Sequence, residues 1–392
     1  MNAIVIIETH GGGHHLMYLR VISKILLESG YSVLVFYPEP EQVMGWMAIA
    51  CPESLHRFKV LPAVEPRTLR PRFGKLPQPL QVLARWQAAA QMAKIARKVL
   101  GQSPELFLFN WLDDLFSAYL PHALIDRLFP YPWAGLCFQP RWQRERGWLD
   151  HHEALNARHC RGCGVLDMDM AQQLQQRVRT PVLSFPDFTD ETAPDPNFAW
   201  VEQIREQAQG RKIVALLGSL HRRKGLLTCI DVALRSPSEP YFFVFAGKLS
   251  PYTLSANDQA HIRAIAANPP ANCFFRLEPI PDEPQFNALV NASDILFAAY
   301  EDFPYSSNLL TKAAVFQKPV IVSEGFCLGE RVQQFSLGVA IAGQGTEKVD
   351  RCMAALHTLC QEPALPHNFA EYHQRHSIAQ LHLALQEMLS HV

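Results

Sequence analysis

The chain has 392 residues, of which 48% are hydrophobic and 19% charged, and its formal net charge at pH 7 is -1. This length favours two domains, each large enough to bury its own core. The near-zero charge argues against a dedicated nucleic-acid-binding protein, which would normally be basic. The nine cysteines are scattered and odd in number, which fits reduced thiols in a cytoplasmic protein better than a disulfide framework.

The N-terminal half opens with a predicted βαβ unit. An apolar strand at Ala3–Ile7 leads into a glycine-rich loop at residues 11–13, a helix over residues 16–29 and a second strand at residues 31–37. Because the first strand has no basic segment before it, we expect a strand and not a signal peptide. The pattern predicts a parallel sheet with right-handed crossovers. Further strands are predicted at residues 106–110, 133–138 and 164–166.

The C-terminal half repeats the alternation of strands and helices, and no apolar run is long enough to span a bilayer. We predict an N-terminal domain over residues 1–186, a Pro- and Asp-rich linker over 187–200 and a C-terminal domain over 201–376. An amphipathic helix within residues 377–392 could pack back toward the N-terminal domain. Strands of the second half are predicted at residues 212–217, 241–246, 273–277, 294–298, 320–323 and 338–341.

Two loops of the C-terminal half carry the strongest chemical signal. Residues 218–225 read Gly-Ser-Leu-His-Arg-Arg-Lys-Gly after a predicted strand and concentrate positive charge. Residues 301–308 read Glu-Asp-Phe-Pro-Tyr-Ser-Ser-Asn, a carboxylate followed by small polar residues at a predicted helix N-terminus. Cations and backbone amides suit a diphosphate, and a carboxylate suits sugar hydroxyls. Ligands of parallel sheets bind at the carboxyl ends of the strands, so these loops should line a cleft between two domains.

In order and spacing, residues 212–332 resemble the GT-B glycosyltransferases, in particular the large retaining family that uses nucleotide sugars (family 4-like, glycosyl transferases group 1). That family carries Gly-Arg-Leu-x-x-x-Lys-Gly, which Lys224 matches, although Ser219 replaces the Arg. It then carries Glu-Gly-Phe-Gly-Leu-Pro-x-Leu-Glu-Ala and Gly-x-Pro-Val. Glu301 matches the first Glu of this motif, whereas Lys312 stands where the second is expected. Residues 274–283 and 327–330 resemble the family's nucleobase segment and its Gly-Gly-x-x-Glu.

The resemblance implies an α/β chain with the GT-B architecture, two Rossmann-like domains facing each other across a cleft. It implies a hexosyltransferase-like enzyme of glycan biosynthesis that acts with retention and without a metal. The co-substrate would be a UDP- or GDP-sugar, with no other cofactor. The acceptor, held mainly by the N-terminal domain, would be a glycan, a lipid-linked molecule or a small molecule.

The resemblance also assigns roles to residues. Lys224 would stabilise the departing diphosphate, and Glu301 would bind the donor sugar. Arg222 or Arg223 could supply the charge that Ser219 lacks. An ammonium group only donates hydrogen bonds, so Lys312 cannot accept them from the ribose, and another carboxylate would be needed. The full set of expected substrate-binding residues is Gly12, Gly13, Gly218, Ser219, Arg222, Arg223, Glu278, Ile280, Phe303, Ser306, Ser307, Asn308 and Glu330.

His14 follows the three glycines of the N-terminal loop. A similar Gly-Gly-x-Gly-Gly-His loop occurs in the inverting transferase that makes the peptidoglycan lipid precursor. By that analogy His14 could act as a base on the acceptor hydroxyl. A capping or packing role for His14 stays open, because a retaining enzyme requires no strong base.

Two other groups of residues contain side chains of the kinds that bind metals, but we predict no metal site at either group. Asp167 and Asp169 form an Asp-x-Asp pair, which is common by chance. Cys160 and Cys163 form a lone Cys-x-x-Cys near several histidines, and a structural zinc site would need a second pair.

The segment from residue 66 to residue 104 contains eight basic residues and no acidic ones. A basic amphipathic segment could dock on an anionic membrane surface, and a solvated helix face is the alternative. We therefore expect a cytoplasmic protein that could lie on the inner face of the membrane. The basic residues are Arg67, Arg70, Arg72, Lys75, Arg85, Lys94, Arg97 and Lys98.

Two other functions fit the same sequence. A sugar-nucleotide epimerase or a phosphorylase of the same architecture would share the diphosphate loop. A non-catalytic relative that binds a nucleotide or glycan as a scaffold would explain the substitutions at Ser219 and Lys312.

Overall fold

A computed structural model describes residues 2–66, 77–141, 148–250, 253–361 and 367–392 of the chain. The backbone contacts divide it into two compact units. The first unit consists of Met1–Pro186 and Ile378–Val392, and the second of Asp187–Ser377.

The first unit is built on a parallel sheet of seven strands in the order β3-β2-β1-β4-β5-β6-β7. Every residue of β1, β4 and β5 is buried, as expected for central strands that helices cover on both faces. The strands are β1 Ala3–Ile7, β2 Ser32–Tyr37, β3 Phe58–Pro62, β4 Leu106–Phe109, β5 Trp133–Cys137, β6 Cys160–Val165 and β7 Val182–Ser184.

Six α-helices lie in the described residues of this unit. The longest has buried apolar residues at a helical spacing, among them Val82, Trp86, Ala89 and Ala93, so one face of the helix packs on the sheet. Trp86 lies at the centre of that face, against Phe109 and Trp133. The helices are α1 Gly13–Glu28, α2 Pro40–Ala50, α3 Gln78–Leu100, α4 His122–Leu128, α5 Met168–Gln175 and α14 Ile378–Ser390.

The second unit has a parallel sheet of six strands in the order β10-β9-β8-β11-β12-β13. The strands are β8 Lys212–Leu217, β9 Tyr241–Ala246, β10 Cys273–Arg276, β11 Ile295–Ala298, β12 Val320–Ser323 and β13 Gly338–Ile341. The helices are α6 Ala199–Ala208, α7 Leu226–Arg235, α8 Ala256–Ala267, α9 Glu283–Ala292, α10 Asn308–Val315, α11 Phe326–Gln334, α12 Gly345–Cys360 and α13 Phe369–Arg375.

The predicted α/β class and the predicted strands are confirmed, with bounds that shift by a few residues. Two strands were not predicted, β3 and β7, and they are the two edges of the first sheet. Residues 187–200, predicted as a linker, belong to the second unit, where Asp187, Phe188 and Thr189 are buried. The C-terminal helix α14 belongs to the first unit, where it contacts β6 and β7.

Part of the basic segment lies on α3, where Lys94, Arg97 and Lys98 are exposed and Arg85 is partly buried. Its other members, Arg67, Arg70, Arg72 and Lys75, lie outside the described residues. Among the helices described, none combines the length and the hydropathy that crossing a membrane requires.

The turn after β9 predicts a large effect of a small substitution. Gly247 has a φ of 138°, and a Cβ atom built there would lie 1.6 Å from the carbonyl oxygen of Gly218. We expect Gly247→Ala to lower the free energy of unfolding by about 2–4 kcal/mol, measured by urea denaturation, since the backbone must move. Gly210→Ala is the matched control, because Gly210 also has a positive φ (82°) but has nothing within 4 Å of the added atom. It should cost only about 1–2 kcal/mol. Equal losses in the two variants would contradict the predicted clash.

Candidate functional site

The positively charged loop follows β8 at the carboxyl end of the second unit's sheet. Its backbone is fixed to the loop after β9, because Leu220 N donates to Lys248 O at 2.8 Å and Ser250 N donates to Leu220 O at 2.8 Å. Two neighbouring strands thus extend their pairing by one bridge before the chain turns.

Lys224 ends the single 3-10 turn at Arg222–Lys224, and Gly225 takes a left-handed conformation (φ 73°) where α7 begins. A side chain at Gly225 would lie 2.6 Å from the Ala299 carbonyl oxygen, so the loop after β11 packs closely here. The Nζ atom of Lys224 lies 3.4 Å from the carbonyl oxygen of Leu217. The turn therefore directs the ammonium group back across the end of β8.

The loop after β11 brings a carboxylate to the same place. Glu301 N donates to Arg223 O at 2.7 Å, and the Glu301 Oε2 atom lies 3.7 Å from Nε of Arg222. The guanidinium group of Arg223 lies 4.9 Å from the centroid of the Phe303 ring. The fold thus places the residues of the two sequence motifs side by side.

The small polar residues that follow lie at the start of α10, which begins at Asn308. Ser307 occupies the N-cap position, and its hydroxyl lies 3.4 Å from the hydroxyl of Tyr300. The hydroxyl of Ser306 donates to the buried carboxylate of Asp187 and accepts from Arg331. Ser306 is therefore held by two charged groups that the sequence motif does not contain.

Lys312 has a structural environment. Its side chain is 3% exposed, and Nζ donates to Asn287 Oδ1 at 2.6 Å, Glu283 Oε2 at 2.8 Å and the Asp190 carbonyl oxygen at 3.2 Å. All three protons of the ammonium group therefore have an acceptor in the protein. This residue holds the start of α9 and residue 190 against α10.

The remaining predicted residues of this unit lie on loops or on the outer faces of helices. Glu278 and Ile280 lie between β10 and α9, and Glu330 is an exposed residue of α11. Gly218 has a φ of 90°, and Ser219 beside it is exposed. Glu278 and Glu330 each carry a carboxylate, the group that the predicted ribose contact requires.

Lys348 was not predicted as a site residue, although its side chain holds the backbone just before Glu301. This buried residue of α12 donates to the carbonyl oxygens of Ala299 at 3.0 Å and Tyr300 at 3.4 Å, and to Ser323 Oγ at 2.9 Å. Burial lowers the pKa of Lys348, and the nearby carboxylate of Glu301 opposes that shift. Lys348 and Arg331 belong to later helices, and nothing in the motifs pointed to them.

In the first unit, the glycine-rich loop joins β1 to α1. Gly12 and Gly13 have positive φ values of 75° and 50°, and Gly12 N donates to the Tyr37 hydroxyl at 2.7 Å. His14 lies in the first turn of α1, but its side chain lies outside the described part of the structure.

A second cluster flanks this loop and was missed from the sequence. Glu8 is buried directly after β1, and its two carboxylate oxygens face two imidazoles: Oε1 lies 3.2 Å from Nδ1 of His10, and Oε2 lies 3.0 Å from Nδ1 of His15. Asn110, after β4, donates to Glu8 Oε2 at 2.7 Å. The Nε2 atom of His10 lies 2.9 Å from Asp114. The sequence signal that could have revealed this cluster is one Glu and two His residues around a glycine loop that follows a strand.

The acidic and basic groups of this cluster shift one another's pKa values. Burial opposes ionisation of Glu8, but hydrogen bonds from His10 and His15 outweigh it and lower the pKa of the carboxyl to about 2. Hydrogen bonds to Asp114 and to Glu8 raise the pKa of His10 to about 9. His10 is thus an imidazolium between two carboxylates at neutral pH.

The residues predicted not to bind a metal have other roles. Asp167 is the N-cap of α5, and its Oδ1 accepts from Met170 N at 2.9 Å. Cys160 and Cys163 are buried in β6, and all nine cysteines are free thiols.

Solved structures of similar fold cover the whole chain. HepE of Anabaena, in complex with UDP and glucose, matches 100% of this chain over 100% of its own, with a TM-score of 0.69 and 15% identity. A glycosyltransferase of Rickettsia africae matches 99% over 98% of its own, with a TM-score of 0.65 and 12% identity. WaaG, a glycosyltransferase of lipopolysaccharide biosynthesis, matches 99% over 98% of its own, with a TM-score of 0.57 and 13% identity.

The chain has the GT-B fold. The expected architecture of two Rossmann-like units is therefore confirmed. No protein-family model matches the sequence, and no curated protein resembles it in sequence.

The network behind Ser306 predicts a dependence of stability on pH. His376 Nδ1 accepts from Asp187 N at 3.0 Å, and burial, with the cations Arg331 and Arg375 nearby, lowers the pKa of His376 to about 3. The unfolded chain binds this proton near pH 6.5, so the stability that His376 contributes is complete above that pH. It is lost as the pH falls toward 3.

We expect His376→Asn, which keeps an acceptor for Asp187 N, to reduce the loss of unfolding free energy between pH 7 and pH 4 in urea titrations. His357→Asn, a substitution on the exposed face of α12, should keep the slope of the unaltered protein. An unchanged slope in His376→Asn would show that another group controls the acid transition.

Proposed function

We propose that this protein is a glycosyltransferase that takes a sugar from a nucleoside diphosphate donor, with UDP or GDP as the nucleotide. The observation that carries the proposal is the meeting of Arg222, Arg223, Lys224 and Glu301 at the carboxyl end of one parallel sheet. That end of an α/β sheet is where phosphorylated ligands bind. HepE, which is similar in fold, was solved with UDP and with UDP-glucose.

The cations would stabilise the diphosphate as it leaves. Lys224 is directed across the end of β8, and the two arginines lie in the same turn. Fixed positive groups in a site that excludes water stabilise a developing negative charge without reorganising. This arrangement supports transfer that needs no metal at the diphosphate.

Glu301 would accept hydrogen bonds from the donor sugar. Its backbone is fixed by Arg223, while its side chain is about one third exposed (32%) and can reach a ligand. The start of α10 supplies backbone N–H groups for a phosphate or sugar oxygen. Glu330 and Glu278 are the proposed ribose ligands, because Lys312 is already paired.

The acceptor is proposed to be a glycan, a lipid-linked molecule or a small molecule bound mainly by the first unit. Gly12 and Gly13 leave room for a close approach, since no atom lies within 4 Å of a Cβ built at either residue. Docking of the basic face of α3 on an anionic membrane, and a cytoplasmic location on its inner side, stay predictions.

A second candidate function is a nucleotide-binding scaffold without turnover. The observation that favours it is Lys312, a buried donor with three partners at the position where the resemblance expects a ribose-binding carboxylate. Donor binding without any release of sugar would favour the scaffold, and conversion of the donor sugar into its epimer would favour an epimerase.

Donor binding tests the site first. We expect calorimetry to show UDP or a UDP- or GDP-sugar binding to the full chain, and Lys224→Ala to weaken it about 10- to 100-fold, the value of one charge-assisted hydrogen bond. The affinity should be unchanged in EDTA.

Lys212→Ala is the matched control. Lys212 belongs to the same unit but lies at the opposite end of β8, where it pairs with Asp294 at the surface. Equal binding by Lys224→Ala and the unaltered protein would place the diphosphate elsewhere.

Turnover tests the chemistry. With water as acceptor, slow hydrolysis of an α-linked donor should first release the α-anomer, observed by proton NMR, because the resemblance implies retention. Glu301→Gln should slow this hydrolysis about 10- to 100-fold through loss of a charge-assisted hydrogen bond. Asp302→Asn, on the exposed neighbour, should leave the rate near that of the unaltered protein. Release of the β-anomer would overturn retention, and an unaffected Glu301→Gln would remove Glu301 from the site.

A further inference from the structure

The cluster at the carboxyl end of β1 has no role in the donor chemistry proposed above, and its composition points to a different ligand. It consists of Glu8, His10 and His15, and the nearest ligand atoms of these three side chains all lie within 4.8 Å of one another. Two imidazoles and one carboxylate are a recurrent protein donor set for zinc and other divalent transition metals.

The distances suit such an ion. With bonds of about 2.0–2.1 Å, two ligand atoms of a tetrahedral zinc site lie about 3.3 Å apart. Glu8 Oε1 lies 3.2 Å from His10 Nδ1, and Glu8 Oε2 lies 3.0 Å from His15 Nδ1. Both imidazoles therefore present the same kind of nitrogen to the same carboxylate, and binding of one ion to both requires the two stacked rings to rotate as well as to approach each other.

The groups around the cluster are those that orient metal ligands. A metal-bound imidazole usually donates its other N–H group to a carboxylate, and His10 Nε2 lies 2.9 Å from Asp114 Oδ2. A metal-bound carboxylate is itself hydrogen-bonded, and Glu8 accepts from Asn110 Nδ2 at 2.7 Å and from His10 N at 2.7 Å. These bonds leave Glu8 in place when an ion replaces the imidazole protons.

The imidazoles of the cluster are packed against a neighbouring ring and are partly exposed. The Trp111 ring packs on His15 with centroids 4.3 Å apart, and the two imidazoles stack at 4.7 Å. The side chain of Glu8 is 0% exposed, whereas those of His10 and His15 are 38% and 21% exposed. An ion could enter over the imidazoles and keep a coordination position for water or another small ligand.

We propose that Glu8, His10 and His15 bind one divalent transition-metal ion of the zinc class, through the carboxylate and the two Nδ1 atoms. Two nitrogen donors and one oxygen donor disfavour Mg²⁺ and Ca²⁺, which prefer oxygen ligands. The sequence led us to expect no metal, and this site departs from that expectation. It does not rest on the proposed donor site, because its ligands lie in the first unit and the diphosphate residues in the second.

The experiment uses the full chain without an affinity tag, freed of metal with EDTA and then desalted. Calorimetry with Zn²⁺ should show one tight site per chain, and Mg²⁺ at the same concentration should show none. Co²⁺ should give visible absorption bands of a four- or five-coordinate nitrogen and oxygen site, which no change in folding alone would produce.

Variants assign the ligands. We expect His15→Gln and Glu8→Gln to abolish the tight site. Asp114→Asn should weaken Zn²⁺ binding about 10- to 100-fold by removing the partner of His10. His56→Gln is the matched control, because His56 is an exposed histidine of the same unit whose Nδ1 atom lies 2.9 Å from the carbonyl oxygen of Glu53, far along the chain from the cluster. It should bind as the unaltered protein does.

Glu8 is buried, so circular dichroism is recorded for each protein to show whether it is folded. If Glu8→Gln unfolds, the result is decided by His15→Gln and Asp114→Asn, which change partly exposed residues. Absence of a tight Zn²⁺ site, or a site that survives His15→Gln and keeps its Co²⁺ bands, would overturn the proposal. The cluster would then be a hydrogen-bonded pair of imidazoles on a buried carboxylate.

Discussion

The buried ammonium group of Lys348 fixes the sheet edge on which the candidate donor site is built. It donates to the carbonyl oxygens of Ala299 and Tyr300, which follow β11, and to the hydroxyl of Ser323 at the end of β12. A buried cation is tolerated only when its donors are paired, and here three acceptors from two strand ends meet that need. If the loop that carries Glu301 moved away from β12, the buried ammonium group would lose hydrogen-bond acceptors. The position of the carboxylate is therefore set by backbone atoms.

Lys312 has a role that differs from the one that the resemblance implies for its position. The resemblance expects a carboxylate there that faces a ribose. The lysine instead bonds to Asn287, Glu283 and the carbonyl oxygen of residue 190. Because residue 190 lies in the stretch that opens the second unit, the ammonium group ties that stretch to α9 and α10. A residue that joins three segments serves stability, so under the proposed function the ribose would be bound by carboxylates elsewhere, Glu278 and Glu330.

The sequence predicted the strands best where they are buried. β1, β8, β9 and β12 match their predicted bounds, because buried strands are continuous apolar runs between turn residues. The edge strands β3 and β7 are short and half-exposed, and Phe58–Pro62 contains a Lys and ends in Pro, so neither shows that pattern. The motifs likewise predicted the two loops of the candidate donor site, because the residues within each loop are close in sequence.

The parts of the site that the sequence did not predict depend on contacts between distant segments. Asp187, Ser306 and Arg331 form one network, but they lie on the segment before α6, on the loop before α10 and on α11. No spacing in the sequence encodes that meeting. Glu8 and His15 are nearer in sequence, yet the apolar strand and the glycine loop dominate the pattern there, and nothing in that pattern distinguishes Glu8.

Both units place a buried charge at the end of their central strands beneath more exposed groups of opposite sign. In the second unit the buried cation is Lys348 and the partly exposed anion is Glu301. In the first unit the buried anion is Glu8 and the partly exposed cation is the imidazole of His10. A charge that water cannot reach keeps a strong attraction for its neighbours, because screening near it is weak. The buried member therefore holds the exposed one in a fixed direction before any ligand arrives, and a ligand that binds there meets groups whose ordering has already been achieved by folding.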